Sequence, residues 1–116
     1  MDDPMIPKSP LTVLSIDRYA GKTYVQERAA TVDTTRVVLL SNNPNRLAWD
    51  IINTSLVEIR VSSNPGLTTA TGFLLAPSGG EMGMTFLEDG EGVGYEIYAI
   101  GLVAGGTVWV REVIRS

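Results

Sequence analysis

The densest group of reactive side chains in this chain is the acidic run Glu88-Asp89-Gly90-Glu91. Carboxylate oxygens are the ligands that hard cations such as Ca²⁺ take. If Asp89-Gly90 is the tip of a two-residue hairpin, Glu88 and Glu91 face each other, and like charges so placed repel. A bound cation would relieve that repulsion, but carboxylates on an exposed tip are ordinarily solvated, and no metal is expected. Asp50, Glu58, Glu96 and Glu112 fall on separate expected strands. Glycoside hydrolysis needs two such acids facing each other across a cleft, about 5–10 Å apart. A chain of 116 residues has little room to enclose one. Trp49, Trp109, Tyr95 and Tyr98 could stack on a sugar ring, although aromatic residues in a small β-domain ordinarily serve the core or an interface. Gly90-x-Gly92-x-Gly94 is glycine-rich, but it lies between two expected strands and lacks the helix N-terminus that binds phosphate.

Composition removes most other chemistry. The chain contains no His and no Cys. A Ser-His-Asp triad, a Cys-His dyad and a zinc site are therefore excluded, and no disulfide holds the fold. Net charge is −4, with nine Lys and Arg residues scattered along the chain. Duplex binding needs a basic face, so no nucleic-acid partner is expected. No run approaches the ~20 apolar residues of a membrane span. Met-Asp-Asp-Pro at the start does not read as a secretory signal, so assembly in a cytosol is expected. No catalytic residue and no cofactor emerges, and the expectation is a protein that is not an enzyme.

The elements that would position these residues are strands. Residues 1–16 form a separate region with Pro4, Pro7 and Pro10, which fix φ and donate no hydrogen bond. An extended arm is expected there, ending in the short strand-like run Leu11–Ile16. Residues 17–35 are polar and mixed, with a turn at Gly21-Lys22 and strand character at Thr23-Tyr24-Val25. From Arg36 the pattern sharpens. Arg36–Leu40 is a short apolar run. Asn43-Pro44-Asn45-Arg46 has the residues of a type I turn, and Asn64-Pro65-Gly66 those of a type II turn with positive φ at Gly66. Leu47, Trp49 and Ile51 alternate with Ala48, Asp50 and Ile52. Val57, Ile59 and Val61 alternate with polar neighbours. Short strands closed by Gly, Pro and Asn, with no helical period, predict an all-β antiparallel sandwich or barrel of about seven or eight strands spanning residues 17–116.

Two hairpins are expected. With Asp89-Gly90 as a tip, Phe86 faces Val93, Met84 faces Tyr95 and Met82 faces Ile97, so every inward pair is apolar. Gly83 and Gly94 then point outward, where bare backbone would let another chain approach closely. With Gly105-Gly106 as a second tip, Val103 faces Val108, while the other face carries Leu102 opposite Trp109 and Tyr98 opposite Val113. Both faces of that hairpin are apolar, so one must be covered by the arm or by another chain. The candidate contact residues are Pro4, Ile6, Pro7, Leu11 and Val13 in the arm. On the domain they are Gly83, Gly94, Tyr98, Leu102 and Trp109.

The order of these motifs resembles a known group. A strand ending in Leu39-Leu40 leads to Asn43-Pro44-Asn45-Arg46 and a strand ending in Asn53-Thr54-Ser55. Val57–Ser62 and Thr71-Gly72-Phe73-Leu74-Leu75 follow, then Tyr95–Ala99 and a final Val108-Trp109-Val110-Arg111-Glu112. Residues 36–112 in this respect resemble small β-sandwich virion structural proteins of tailed bacteriophages and related viruses, including capsid decoration proteins. The resemblance implies a non-enzymatic capsid decoration (cement) protein on the virion surface, made in the host cytoplasm. Its partners would be the major capsid protein and copies of itself. A tail-associated receptor- or carbohydrate-binding module, or a head-completion or tail structural protein, is the alternative.

Overall fold

A computed structural model describes residues 23–115 of the chain. The expected arm, its contact residues Pro4, Ile6, Pro7, Leu11 and Val13, and the Gly21-Lys22 turn lie outside them. Eight strands, all paired antiparallel, form two four-stranded sheets. The strands are β1 (Thr23–Val32), β2 (Val37–Leu40), β3 (Arg46–Asn53), β4 (Ile59–Ser62), β5 (Phe73–Leu75), β6 (Glu81–Thr85), β7 (Ile97–Gly101) and β8 (Gly106–Arg115). The first sheet has the order β1-β8-β3-β6 and the second β2-β7-β4-β5. The all-β sandwich expected from the periodicity is the observed fold.

Alternation places the core between the sheets. Trp49 and Ile51 from β3 and Val108 and Val110 from β8 meet Ile59, Val61, Leu75, Ile97 and Ala99 of the second sheet, all buried. Their polar neighbours along each strand face outward, as a period of two requires. In the polar run 17–35 only Thr23-Tyr24-Val25 had strand character, and the observed β1 extends it to ten residues. It pairs along its whole length with β8, from Thr23↔Arg115 to Val32↔Gly106. Its interior comes from that partner more than from its own hydrophobicity, because most of its residues are exposed.

Both expected hairpins are replaced. β6 does not turn back on β7; it pairs with β3, while β7 pairs with β2 and β4 in the other sheet. Between them runs a helical turn, α1 (Phe86–Asp89), followed by a 3₁₀ segment, Gly90–Gly94. The cause is local. Thr85 caps α1, its hydroxyl accepting the Glu88 N–H at 3.3 Å, while the Asp89 carboxylate accepts the Thr85 N–H at 2.9 Å. This is a capping-box arrangement with Asp89 as the reciprocal acid. A type I′ hairpin needs positive φ at both central residues, and Asp89 has φ −112° while Gly90 has φ 64°. Met82, Met84 and Phe86 still pack on the core, and Val93 and Ile97 are buried, but Tyr95 is half exposed rather than inward.

The Gly105-Gly106 turn likewise does not close a hairpin. It carries the chain from the second sheet to the first. Asp33 holds the crossing: its carbonyl accepts the Gly101 N–H at 2.8 Å and its carboxylate the Gly105 N–H at 3.0 Å. A Cβ at Gly106 would meet the Val32 carbonyl oxygen at 2.5 Å, so the chain passes β1 only as glycine. The two Asn-Pro turns form as expected, with Arg46 N–H donating to Asn43 O and Leu67 N–H to Asn64 O, both at 3.1 Å. Gly66, however, is not among the residues with positive φ, so the second is not a type II turn.

Candidate functional site

The strongest polar constellation is built on Arg46, at the start of β3. Its guanidinium is buried (1% exposed) and bonded on every side. Nε donates to Glu112 Oε1 at 2.8 Å, Nη1 to the Val93 and Tyr95 carbonyls at 3.2 Å, and Nη2 to the Ser41 carbonyl at 2.5 Å. One side chain thereby ties the 41–45 turn, the 93–95 segment and β8 together. Asn53, at the other end of β3 and fully buried, performs the same task there. Its amide donates to Val57 O at 2.7 Å and Leu75 O at 3.1 Å, and its oxygen accepts the Ser55 N–H and hydroxyl. The motifs Asn43–Arg46 and Asn53–Ser55 are thus structural hubs. Sequence reading treated Arg46 as a turn residue, and its burial depends on partners 66 residues away.

Three of the four acids singled out for chemistry, Asp50, Glu96 and Glu112, are engaged elsewhere. Glu112 holds Arg46, and Asp50 pairs with Arg111 at 3.3 Å. Glu96 accepts the Tyr98 hydroxyl at 2.9 Å. That hydrogen bond raises the Tyr98 hydroxyl above its ordinary value, aided by burial and the Glu96 charge and opposed by Arg36. Arg36 stacks 5.7 Å from the Tyr98 ring centroid. The acidic run does not bring Glu88 opposite Glu91, because it winds through α1 and the 3₁₀ segment. Among the described residues no three His, Cys, Asp or Glu side chains gather as metal ligands. The four aromatics do not form one platform: Trp49 is core, Tyr95 stands half exposed, and Tyr98 and Trp109 belong to different sheets.

The expected contact residues therefore do not lie on one face. Tyr98, half-buried, faces out from the second sheet beside Val38. Leu102 sits in the crossing between sheets. Gly94 is not outward: it is buried, and a Cβ there would meet the Asn43 carbonyl oxygen at 2.7 Å. Gly83 is exposed on the first sheet, but its space is taken within the chain, since a Cβ would meet Asp50 Oδ1 at 2.5 Å.

Trp109 stands on the outer face of the first sheet, and the register there builds a patterned surface. One row across the strands reads Ala29, Trp109, Ile52 and Glu81. The next reads Glu27, Arg111, Asp50 and Gly83, and the third Val25, Val113, Ala48 and Thr85. Two mostly apolar rows thus flank a charged one. Trp109, Ile52 and Val113 are half-buried, and Val25 is 55% exposed.

No family model matches this chain, and no curated protein matches it. Among solved structures, a chain from work titled "Bacillus endospore appendages form a novel family of disulfide-linked pili" aligns with it. The TM-score is 0.47 and the identity 13%, over 80% of this chain and 86% of that one. The present sequence has no cysteine, so a disulfide link has no counterpart in it.

Proposed function

We propose that this protein is a non-enzymatic structural element that adheres through the outer face of its first sheet. In its finer form the reading is a capsid decoration protein, binding a shell of major capsid protein and copies of itself. The observation that carries it is the pair of apolar rows around Trp109 and Val113. Trp109, Ile52 and Ala29 lie side by side in register, with Val25, Val113 and Ala48 four residues along. Stable contacts are dominated by a few anchors of this kind, with Trp foremost. The charged row between them restricts how a partner can seat.

The test is binding of the full chain to empty shells, measured by co-sedimentation, together with sedimentation velocity of the protein alone. Saturable binding, weakened at least about 30-fold by Trp109→Ala as expected for an anchor worth ~2 kcal/mol or more, supports the reading. A protein that stays monomeric at high concentration and does not bind shells refutes it.

A further inference from the structure

Among the described residues, the sandwich is not closed on the side where β6 and β5 are the edge strands. A cleft of about 170 Å³ opens there between the sheets, lined by Trp49, Met82 and Met84 from the first and Val61, Phe73 and Ile97 from the second. That is close to the size of a cavity that takes one benzene ring, or one large apolar side chain. Phe73 at this cleft is 51% exposed. Trp49 is 1% exposed, and its Nε1–H is buried without an acceptor. Buried Trp N–H groups normally have a partner, so the packing beside this cleft is incompletely satisfied.

Of the two edges of the first sheet, β6 is also the less guarded. Inward-pointing charges and polar residues protect edge strands from pairing. The opposite edge, β1, carries Gln26, Glu27 and Arg28 in succession, and Arg28 reaches in to donate to the Leu39 carbonyl. Across the centre of β6 stand Met82, Gly83 and Met84, with no charge among them.

We propose that the cleft and the free edge of β6 receive residues Leu11–Ile16 of a second copy as an added strand, with an apolar side chain entering the cleft between Met84 and Phe73. This proposal rests on the adhesive reading above and gives it a second, directional contact. In Leu11-Thr12-Val13-Leu14-Ser15-Ile16, either face of an extended chain offers two aliphatic side chains. Chain direction selects the second copy. β1 begins at the end of the sheet where β6 finishes, because Val25, Val113, Ala48 and Thr85 share one row. A segment returning from Thr23 to β6 within one chain would run parallel to it. The antiparallel pairing used throughout both sheets is open to the segment of another molecule.

The absence of cysteine makes the test direct. Full-length Leu14→Cys/Met84→Cys and Val13→Cys/Met84→Cys are oxidised under native conditions and run without reductant. Leu56→Cys/Met84→Cys is the control for random collision, since Leu56 is 86% exposed. Disulfide-linked dimers and longer ladders in at least one of the first two, several-fold above the control, are expected. Intrachain disulfides would assign the segment to its own domain and overturn the proposal; so would no cross-link above control. If wild type still associates and Trp109→Ala still weakens it, only the seat is wrong; if wild type does not associate, the adhesive reading falls too. Should Met84→Cys fail to fold, Phe73→Cys, which lines the same cleft and is 51% exposed, replaces it against Leu14→Cys and Val13→Cys. Interchain disulfides several-fold above a Leu56→Cys/Phe73→Cys control are again expected, and none above that control would overturn the proposal.

Discussion

Replacing Arg46 with Met should be among the most damaging single changes in this domain. The methionine keeps much of the apolar stem but removes the donors to the Ser41, Val93 and Tyr95 carbonyls and to Glu112. The Glu112 carboxylate, only 13% exposed, is then left without its cation. Breaking a buried ion pair from one side costs about 3–5 kcal/mol. A domain of this size holds roughly 5–15 kcal/mol in all, so the variant would sit near the folding threshold. For a domain of about 100 residues this corresponds to a Tm lower by at least roughly 12 °C. Arg46→Lys should recover little of the loss, because a single ammonium cannot bond acceptors spread around a planar fork. Glu112→Gln should cost less, about 1–3 kcal/mol, since an amide oxygen can still accept Nε–H. Circular dichroism melts of the three variants check the order. A Tm for Arg46→Met within about 5 °C of wild type would refute the view that this guanidinium ties the loops to β8.

Three further outcomes follow from the geometry. Gly94→Ala forces a Cβ to within 2.7 Å of the Asn43 carbonyl oxygen, and urea melts should show a loss of about 1–3 kcal/mol; unchanged stability would mean the 43–45 turn yields freely. Asn53→Ala leaves the Val57 and Leu75 carbonyls without their amide donor, at about 1–3 kcal/mol for each that finds no water, read by the same melts. Glu96→Gln should lower the alkaline titration midpoint of Tyr98, followed by phenolate absorbance against wild type, because the bond to Glu96 is the main cause of the raised value. A raised folded-state value means that Tyr98 favours folding fully below its unfolded value near 10 and that this contribution is lost as pH rises through the folded one; a midpoint that does not move would refute the assignment.

The fold class was legible because strand periodicity is local. Ile59 and Val61, and Trp49 and Ile51, announce inward faces that are the core, although the strand expected from Val57 begins only at Ile59. Pairing was less legible, because it depends on which distant strand supplies the missing hydrogen bonds. Asp89-Gly90 carries a hairpin signal, yet Thr85-Phe86-Leu87-Glu88 carries a helix-start signal, and the cap prevailed. Gly105-Gly106 marked a turn correctly, but a turn does not say which sheet the chain enters next. Only the start of β1, Thr23-Tyr24-Val25, read as strand, for a different reason: an edge strand with both faces largely exposed has no reason to alternate. Of the expected contact residues, Trp109 stands on a patterned outer face. Gly94 was misplaced with the hairpin, and its smallness serves the Asn43 turn.

Position 83 shows how the interior and the proposed contact face depend on each other. Asp50 faces outward between Arg111 on β8 and Gly83 on β6. One carboxylate oxygen pairs with Arg111, and the other occupies the space a side chain at 83 would need. A larger residue there would push Asp50 off its partner and raise a bump in the charged row. Such an exposed pair adds little to stability, because solvent screens it and two side chains must be ordered to make it. Its effect is on shape and sign. It keeps the charged row low between the Trp109 and Val113 rows, so a partner can reach both apolar rows at once. It also fixes where a partner's charges must lie. Apolar area supplies adhesion without direction, and a repeating assembly needs direction. On the proposed contact face that direction would come from the Asp50–Arg111 pair, for which residue 83 leaves room by having no side chain.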